Sequence, residues 1–329
     1  MKERSLLAGA LVVLIALTAA APVGAQSKVT MSYVTTSPGV SAVYWVAKEA
    51  GIYKKHGVDV DLVLIEGSSR SVQSLIGGDV QFAPVAGTAA INGKLAGGDI
   101  IMINNVMNAL PYYVVGNPEI KGPEDLKGRS AAVHQPGTMA DFALRLALRR
   151  GGASFNDIRA VTVGSSGARM AALASRQIDF AVLTDGEMLN ATKQGLKVIM
   201  DLAALKIEFP ASCQTVARKL INESPKLVQS LINAEAEAVH YFKTHREETV
   251  RAMEKYSRGQ ERKTLEAVYD VYTKLLAEDT VPRGLQATLE VVAGSDPRAA
   301  GAKAQDFVDL RFVEELRKSG FLDRLYGRR

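Results

Sequence analysis

The sequence contains only one cysteine among its 329 residues, Cys213. A single cysteine cannot form a disulfide within the chain, and it excludes CxxC metal or redox sites. Cys213 lies in an apolar, strand-like stretch, which is typical of an inert buried thiol and not of a nucleophile. We therefore expect neither disulfides nor thiol chemistry in this protein.

Signatures of catalysis and of metal binding are also missing. The chain has four histidines, His56, His134, His240 and His245. None of them follows the HExxH or HxH spacing of metal sites. The sequence has no Walker or Rossmann glycine pattern, and Gly164-Ser165-Ser166-Gly167 is not a nucleophile elbow. The sequence predicts no metal site and no cofactor, and it favours a protein that is not an enzyme.

Positively charged residues only slightly outnumber negatively charged ones. The chain has 40 Lys+Arg against 35 Asp+Glu, a net charge of +5, and the basic residues are scattered. A nucleic-acid-binding face normally shows a concentrated basic patch, so we expect no nucleic-acid partner. With 47% hydrophobic and 23% charged residues, the composition is that of a globular protein. The length suggests about two domains of roughly 150 residues each.

The chain after the N-terminal segment has no long hydrophobic run, because no 18 consecutive residues in it are all apolar. The N-terminal segment itself has positive residues at its start, a 16-residue apolar run at positions 6–21 and small residues before Ala25. This layout predicts a secretory signal peptide over residues 1–25, cut between Ala25 and Gln26. The alternative is a retained membrane anchor, which the short run and its terminal proline disfavour. We expect an exported protein.

One strand–loop–helix–strand unit occurs twice, at an offset of 98 residues. The strand at Val58–Ile65 is identified by its period-2 alternation, and Ala160–Val163 begins the second copy. The aligned positions are Ser68 with Ser166, Leu75 with Leu173, Phe82-Ala83 with Phe180-Ala181, and Ala86-Gly87-Thr88 with Thr184-Asp185-Gly186. The match predicts two lobes built on one plan. The alternative is that any two βαβ units look alike.

Strands alternate with short helices through the first two thirds of the chain, which predicts mostly parallel sheets with helices on both faces. Another such unit is the strand Ser130–His134 with the helix Met139–Arg150. Longer helices are predicted from Pro225 onwards and at Glu247–Tyr256, Arg262–Ala277 and Gln305–Lys318. Two segments are predicted to cross between the lobes as strands, Asn108–Gly116 and Ala211–Ala217.

Five loops that follow predicted strands and open helices carry small or hydroxyl residues. They are Ser68-Ser69, Gly87-Thr88, Gly137-Thr138, Ser165-Ser166 and Thr184-Asp185. Hydroxyls and free amides at helix N-termini bind anions, and ligands of open α/β sheets lie beyond the carboxyl ends of the strands. The alternative reading of any one loop is a simple helix cap. Five loops together favour a ligand site.

Four sequence segments resemble one family. They are Trp45–Tyr53, Gly57–Val60, Ser74–Ala83 and Pro123–Gly128. The chain resembles the solute-binding proteins of ABC importers, in the branch that handles nitrate, sulfonates, taurine and thiamine precursors, from about Val29 to Ala252. The resemblance implies an α/β fold of the two-lobe, type II periplasmic-binding-protein kind. Two mixed, mostly parallel sheets with flanking helices would be joined by two crossover strands, with the ligand in the cleft between the lobes.

The implied boundaries are residues 26–112 and 216–329 for lobe 1 and residues 113–215 for lobe 2. Lobe 1 is expected to contribute Thr35, Ser37, Ser41, Tyr44, Ser68, Gly87, Thr88 and Tyr112 to ligand binding. Lobe 2 is expected to contribute Gln135, Gly137, Thr138, Ser166, Thr184 and Asp185. Tyr44, Tyr112 and Phe209 would cover the apolar part of the ligand. Arg70 and Arg169 begin paired helices and could offer charge to the ligand, but exposed helix arginines usually do not reach a cleft. The sequence leaves open whether either of them does.

The expected function is capture of a small, anionic organic solute in the periplasm by a monomer that delivers it to an ABC permease and its ATPase. One rival is an exported enzyme on the same scaffold, with Asp185 or His134 as its base. Relatives that synthesise thiamine precursors use a cysteine-rich segment, which this chain lacks. The other rival is a sensory module that passes its signal to a membrane receptor. The ligand itself is not identified by the sequence.

Overall fold

A computed structural model describes residues 27–257, 259–294 and 296–328. The predicted signal peptide lies outside these described residues. The strands are β1 Ser27–Tyr33, β2 Val58–Leu64, β3 Ala83–Val85, β4 Ile100–Asn105, β5 Tyr113–Gly116, β6 Ser130–Val133, β7 Arg159–Thr162, β8 Phe180–Leu183, β9 Lys197–Asp201 and β10 Cys213–Ala217.

The α-helices alternate with the strands as far as β10 and then follow one another to the end of the described chain. They are α1 Pro38–Glu49, α2 Ile52–Lys55, α3 Ser68–Gly77, α4 Gly87–Leu95, α5 Met139–Arg150, α6 Ser166–Ala174, α7 Asp185–Lys193, α8 Arg218–Glu223, α9 Pro225–Thr244, α10 Arg246–Tyr256, α11 Arg262–Leu275, α12 Leu285–Ala293, α13 Arg311–Lys318 and α14 Phe321–Tyr326. Within the described ranges, none is both long enough and apolar enough to cross a membrane.

Lobe 2 contains a five-stranded sheet in the order β7-β6-β8-β5-β9. Strand β6 runs parallel to β7 and β8, whereas β5 runs antiparallel to β8 and β9. Helix α5 covers this sheet, and its bounds are those predicted. The Thr138 side chain caps its first turn by accepting from the amide of Asp141, which is why the helix begins after that residue.

The strands of lobe 1 form two smaller sheets, with the orders β1-β2 and β3-β10-β4. Strands β1 and β2 are parallel, and β10 runs antiparallel between β3 and β4. The two sheets join where the amide of Ser32 donates to the carbonyl of Phe82 at 3.0 Å. The order β2-β1-β3-β10-β4 therefore matches β7-β6-β8-β5-β9 strand for strand, which confirms two lobes built on one plan.

The chain crosses between the lobes twice, after β4 and after β9. Strand β10 pairs within the lobe 1 sheet, so we place the second crossing between β9 and β10, earlier than the predicted boundary at residue 215. Beyond β10, helix α9 packs on α1 and β2, and α11 packs on α1. The other lobe boundaries from the sequence stay a prediction.

The 98-residue offset is reproduced in the helices that follow the third strand of each lobe. Helix α4 runs from Gly87 to Leu95 and α7 runs from Asp185 to Lys193, so both ends are 98 positions apart. Strands β3 and β8 precede these helices at equivalent positions. The alternative that the two units look alike only by chance is therefore not needed.

The bounds of several predicted elements differ from the structure. The predicted helix at Gln305–Lys318 is wrong in its first half, which is a short 3-10 turn at Ala304–Phe307 followed by extended backbone. The extended part pairs with lobe 1, because Val308 forms a parallel bridge with Met102. The strand predicted at Val80–Ala83 begins only at Ala83, since Phe82 makes an isolated bridge to Met31.

Candidate functional site

The N-termini of α3 and α6 face the cleft from the two lobes. Ser68 opens α3, and its hydroxyl accepts a hydrogen bond from the amide of Ala86 at 3.2 Å. Ser166 opens α6, and its hydroxyl accepts from the amide of Thr184 at 3.1 Å. The two bonds are 98 residues apart at both ends. Each lobe therefore fixes an equivalent serine at the carboxyl end of its sheet.

Both lobes contribute to a cavity of about 50 Å³ at these helix N-termini. Its lining combines polar side chains with a few small or apolar ones. The lining residues are Val34, Thr35, Val40, Glu66, Gly67, Ser68, Tyr112, His134, Thr138, Met139, Ala140, Ser165, Ser166, Arg169 and Thr184. A cavity of this volume has room for a polar group of a few non-hydrogen atoms.

The lobes touch directly at one side of the cavity through α1 and α7. The Ser37 hydroxyl of lobe 1 donates to the Thr184 hydroxyl of lobe 2 at 3.2 Å. Thr184 in turn donates to Glu187 one turn along α7. Both Ser37 and Thr184 are helix N-cap residues, so this contact brings two helix N-termini together.

The other side of the cleft is closed by the loop before α5. The Thr88 hydroxyl donates to the carbonyl of Gly137 at 2.7 Å, and the Ser69 hydroxyl donates to the carbonyl of Pro136 at 2.9 Å. When the Gln135 side-chain amide takes the orientation that satisfies its hydrogen bonds, its oxygen accepts from Arg70 at 2.8 and 2.9 Å. The structure is therefore that of a closed cleft.

Arg169 is the only buried arginine of the described residues, and it lines the cavity with 2% of its surface exposed. Its Nε donates to the carbonyl of Val182 at 3.0 Å, and its Nη1 donates to the carbonyl of Gly164. Among the described residues, its Nη2 forms no hydrogen bond and no carboxylate lies within ion-pair distance. The guanidinium is held by backbone carbonyls and keeps its charge unpaired.

The charges around Arg169 do not neutralise it. Burial lowers the pKa of Arg169, and the nearby Tyr112, Glu187 and Glu66 oppose that shift. Arginine nevertheless stays protonated in proteins. An isolated buried charge is destabilising by several kcal/mol, so this guanidinium would be stabilised by an anion in the cavity.

His134 lines the cavity as a neutral hydrogen-bond donor. Its Nδ1 accepts from the amide of Gln135 at 2.7 Å, which assigns the ring proton to Nε2. Burial, together with the charges of Arg169 and Arg70, lowers the pKa of His134 to about 4. At neutral pH the imidazole therefore offers an N–H and no charge.

Tyr112 supplies a further donor. Burial raises the pKa of Tyr112 to about 12, so its hydroxyl stays protonated at every physiological pH. Glu66 supplies the acidic part of the lining and remains exposed at the cavity rim. The arrangement is a cavity with a buried cation, several neutral donors and one carboxylate at its edge.

The predicted ligand-binding residues fall into three groups by position. Those that line the cavity are Thr35, Ser68, Tyr112, Thr138, Ser166 and Thr184. Those that join the lobes beside it are Ser37, Thr88, Gln135 and Gly137. The remaining four, which do not line the cavity, are Ser41, Tyr44, Gly87 and Asp185. Their role in ligand binding stays a prediction.

Each of these four has a partner elsewhere in the protein. Ser41 donates to the carbonyl of Thr35 at 2.7 Å. The Tyr44 hydroxyl bonds to the Ser212 hydroxyl at 2.7 Å inside lobe 1. Gly87 packs against Pro210, where an added Cβ would lie 2.5 Å from the ring. Asp185 accepts from the Tyr113 hydroxyl at 3.1 Å.

Phe209 and Cys213 are both buried away from the cavity. The Phe209 ring packs on Phe142 with ring centroids 4.4 Å apart. Cys213 is fully buried, burial raises the pKa of its thiol, and its Sγ lies 3.5 Å from the Asn105 amide oxygen. The prediction that the thiol is buried is confirmed, and its inertness stays a prediction.

The sequence does not indicate Glu66 and Met139 as lining residues, it suggests His134 only as a base, and it leaves open whether Arg169 reaches the cleft, where the structure places it. A signal for Arg169 was present in the spacing of α6. Arg169 and Leu173 are four residues apart and are the two buried residues of that helix, so they share its inner face. For metal binding, the described part of the chain holds no cluster of three or more His, Cys, Asp or Glu.

Residues 39–249, from α1 into α10, match the protein-family model described as NMT1/THI5 like. The chain belongs to the NMT1/THI5-like family. A relative from Brucella abortus (strain 2308) that carries the name of a binding protein is 28% identical over 222 residues, which are 64% of this chain and 68% of the relative.

Solved structures share the fold of this NMT1/THI5-like protein. A protein from Bordetella bronchiseptica RB50 has a TM-score of 0.78 at 22% identity and covers 92% of this chain and 98% of its own. The periplasmic aliphatic sulphonate binding protein SsuA from Escherichia coli has a TM-score of 0.71 at 18% identity, with coverages of 86% and 97%. The fold is therefore the two-lobe fold of periplasmic binding proteins.

Catalysts also use this fold. The desulfurization enzyme DSZB has a TM-score of 0.66 at 16% identity and covers 89% of this chain and 99% of its own. The fold of this NMT1/THI5-like protein is thus compatible with binding and with catalysis, and the chemistry of the cavity has to distinguish the two.

Proposed function

We propose that this protein is the solute-binding component of an ABC importer and that it binds a small anionic solute, such as an organic sulfonate, between its lobes. The observation that carries the proposal is the buried, unpaired guanidinium of Arg169 in the cavity lining. Its Nε and Nη1 are fixed by the carbonyls of Val182 and Gly164, so the group is oriented before a ligand arrives.

Two helix N-termini reinforce the same preference. Ser68 and Ser166 open helices of ten and nine residues at the cavity. The unsatisfied amides and the dipoles of such helices stabilise an anion, typically by 0.3–1 kcal/mol each, a range that reaches about 2 kcal/mol when partly buried. Together with the Nε2–H of His134 and the hydroxyl of Tyr112, they surround the proposed anion with donors from both lobes.

Binding from both lobes explains why a ligand favours the closed form. A ligand shifts a two-state equilibrium only by its differential affinity for the two states. Ser68 belongs to lobe 1, whereas Arg169 and His134 belong to lobe 2, so a solute reaches all three only when the cleft is closed. The small volume of about 50 Å³ suits the charged head of a solute, and a bulkier remainder requires a wider cleft.

The relatives support the transport role. The matched Brucella protein carries the name of a binding protein, and the fold is shared with a periplasmic sulphonate binding protein. By this proposal the mature chain works in the periplasm as a monomer, and its partners are an ABC permease and the ATPase of that permease.

Calorimetric titration tests the anion site. Methanesulfonate, nitrate, acetate and methylammonium are titrated into the mature chain, and we expect binding of one or more anions but not of the cation. Arg169→Gln should abolish that binding, and Arg169→Lys should weaken it about tenfold or more, because lysine keeps the charge but loses the planar donor fork. Arg149→Gln, an exposed arginine of the same lobe, is the matched control and should bind as the wild type does.

Binding of methylammonium alone, or anion binding that survives Arg169→Gln, would contradict the proposal. Circular dichroism of each variant shows whether the fold is retained, since Arg169→Gln also leaves the carbonyls of Val182 and Gly164 without their donor. If the glutamine variant does not fold, the loss of anion affinity in Arg169→Lys tests the proposal instead.

Catalysis is the weaker candidate for this cavity. The only predicted base in its lining is His134, and its pKa of about 4 makes it a poor proton acceptor at neutral pH. The other predicted base, Asp185, does not line the cavity. Incubation of the protein with any solute that binds, followed by NMR of the solute, should show no product.

A further inference from the structure

Asp185 is buried between the lobes but away from the ligand cavity. It opens α7 of lobe 2, and only 3% of its surface is exposed. One carboxylate oxygen accepts from the Tyr113 hydroxyl at 3.1 Å. The other oxygen, Oδ2, is buried without a hydrogen bond among the described residues. The closed structure therefore holds a buried carboxylate with one oxygen that accepts no hydrogen bond of regular geometry among the described residues.

Lobe 1 covers this carboxylate with α11 and the segment before it. The buried Tyr272 of α11 is a neighbour of Asp185: its hydroxyl lies close enough to the carboxyl to lower the pKa of Asp185, but it makes no hydrogen bond of regular geometry among the described residues. Gln260 covers the next residue of α7, because its side-chain oxygen lies 2.7 Å from where a Cβ on Gly186 would be. Closing the lobes therefore removes Asp185 from water.

The charged and titratable groups that face Asp185 come from β5 and the residue before it, from β9, from α11 and from α7 itself. Burial raises the pKa of Asp185 to about 6, Tyr113 and Tyr272 lower it, and Asp201 at the end of β9 raises it further. Glu187 lies on the same helix, and Tyr112 lies before β5. Among the described residues, no cation forms an ion pair with Asp185. The surroundings thus favour the protonated, neutral form of the carboxyl.

We propose that Asp185 controls the closing of the two lobes, because its charged carboxylate opposes closure and its protonated carboxyl allows it. Asp185 then acts as a positioning residue and not as a ligand contact. It occupies the position equivalent to Gly87 in lobe 1, 98 residues earlier, where the space is filled by Pro210. We call this control of closure by Asp185 the latch. Since lobe 1 has a glycine at the equivalent position, the latch is present on one side of the cleft only.

The sign of the pH effect follows from the two states. In an open cleft Asp185 is solvated and titrates near its ordinary pKa of 3.8, whereas in the closed structure its pKa is about 6. Closing takes up a proton, so the closing equilibrium constant rises as the pH falls, by about tenfold between pH 7.5 and pH 5 from this group alone. Because ligand affinity scales with the fraction that can close, the same residue contributes to the pH dependence of affinity.

His134 titrates in the same range with the opposite sign. Its pKa is lowered to about 4 between the lobes, so closing releases a proton from this ring. The contribution of Asp185 is therefore measured as the difference between the wild type and a variant at position 185, since His134 is present in both.

The experiment measures closure without any ligand, so it stands apart from the proposed anion binding. Donor and acceptor dyes are attached to cysteines introduced at the exposed positions Ser175 of lobe 2 and Gln286 of lobe 1. The native Cys213 is fully buried and should not react. Energy transfer between the dyes then gives the closed fraction of the mature chain from pH 5 to pH 7.5.

Asp185→Asn keeps the acceptor for Tyr113 and removes the charge. At pH 7.5 its closing constant should exceed that of the wild type roughly tenfold or more, and the ratio should shrink about tenfold by pH 5. The matched control Asp79→Asn, an exposed aspartate of lobe 1, should leave the closing constant unchanged. Equal closing constants for wild type and Asp185→Asn at pH 7.5, or a ratio that does not change with pH, would overturn the proposal.

Tyr113→Phe provides a second, opposite test that does not depend on the folding of the asparagine variant. It removes the one side-chain hydrogen bond of regular geometry that the carboxylate accepts among the described residues, so the closing constant above pH 6 should fall a few-fold. An unchanged closing constant in this variant would also contradict the latch. If the closing constants change as expected but no anion binds in the calorimetric titrations, the proposed function is contradicted and the control of closure by Asp185 is supported.

Discussion

The Ser37 hydroxyl of lobe 1 donates to the Thr184 hydroxyl of lobe 2 at 3.2 Å. On the opposite side of the cleft, the Thr88 hydroxyl of lobe 1 donates to the carbonyl of Gly137 of lobe 2 at 2.7 Å. In both places a helix that follows the third strand of one lobe meets the loop after the first strand of the other. The internal repeat thus produces a cleft that both lobes close in an equivalent way.

The contact between Ser37 and Thr184 should stabilise the closed form by about 0.5–1.5 kcal/mol, the usual net contribution of one hydrogen bond. Ser37→Ala and Thr184→Val should each weaken binding of the solute by up to roughly tenfold. A double-mutant cycle measured by calorimetry should give a coupling energy of that size. Effects of the two substitutions that are simply additive would mean that the bond does not contribute to closure.

Glu66→Gln should strengthen binding of an anion. The carboxylate of Glu66 lies at the rim of a cavity whose cation is Arg169, so its removal makes the potential in the cavity more positive. For a charge pair near the surface this effect is of the order of 1 kcal/mol, or a few-fold in Kd, and decreases with added salt. Calorimetric titration at low and high salt measures it. Weaker binding in the variant would instead indicate that Glu66 contacts a cationic part of the ligand.

We expect the buried Glu235 to make the protein less stable as the pH rises. It lies on α9, fully buried in lobe 1, and accepts from the Asn104 amide at 2.7 Å. Burial raises the pKa of Glu235 to about 8, with the Asn104 hydrogen bond opposing the shift. Because the unfolded carboxyl loses its proton near its ordinary pKa of 4.5, the folded state binds more protons between these two values.

Stability should therefore fall as the pH rises from about 5 to 8, since the folded state holds the extra proton. Glu235→Gln keeps the acceptor for Asn104 and removes the charge, so it should raise the free energy of unfolding at pH 8 by at least about 1 kcal/mol. Urea unfolding at pH 5, 6.5 and 8 compares the two proteins. A variant that is less stable than the wild type at pH 8 would show that Glu235 is charged in the native state.

Much of the fold could be predicted because its elements depend on local patterns. Helix α5 has the predicted bounds, since Thr138 caps it and Gly151 follows its last turn. The 98-residue repeat was visible in the sequence because the serines at the start of α3 and α6 serve the same purpose, which is to accept from the amide before the next helix. Such repeated local hydrogen bonds leave repeated residues.

Side-chain direction was harder to predict than position. A ligand contact of Tyr44 stays a prediction, and its hydroxyl bonds to that of Ser212 inside lobe 1. No local sequence pattern specifies a hydrogen-bond partner that is 168 residues away. The sequence leaves open whether Arg169 reaches the cleft, although the spacing of this residue from Leu173 places it on the inner face of α6. Burial of a charge depends on carbonyls from other segments, which the sequence near Arg169 does not reveal.

Gly39 should tolerate no side chain, for reasons of space alone. It lies in the first turn of α1, where an added Cβ would lie 2.1 Å from two ring carbons of Tyr272 on α11. Gly39→Ala should therefore destabilise the protein by roughly 1–3 kcal/mol, the usual effect of overpacking a core. Gly167→Ala is the matched control, because nothing lies within 4 Å of its Cβ position in the first turn of α6.

The control should be neutral or stabilising, since alanine has about 1 kcal/mol better helix propensity than glycine. Both helices gain the same propensity, so the difference between the two variants in urea unfolding isolates the contact with Tyr272. Gly39→Ala combined with Tyr272→Leu should recover part of the loss, because the smaller side chain frees the space that the new methyl group needs. If Gly39→Ala is as stable as Gly167→Ala, then Tyr272 moves away without loss, and the packing of α11 on α1 is looser than the structure indicates.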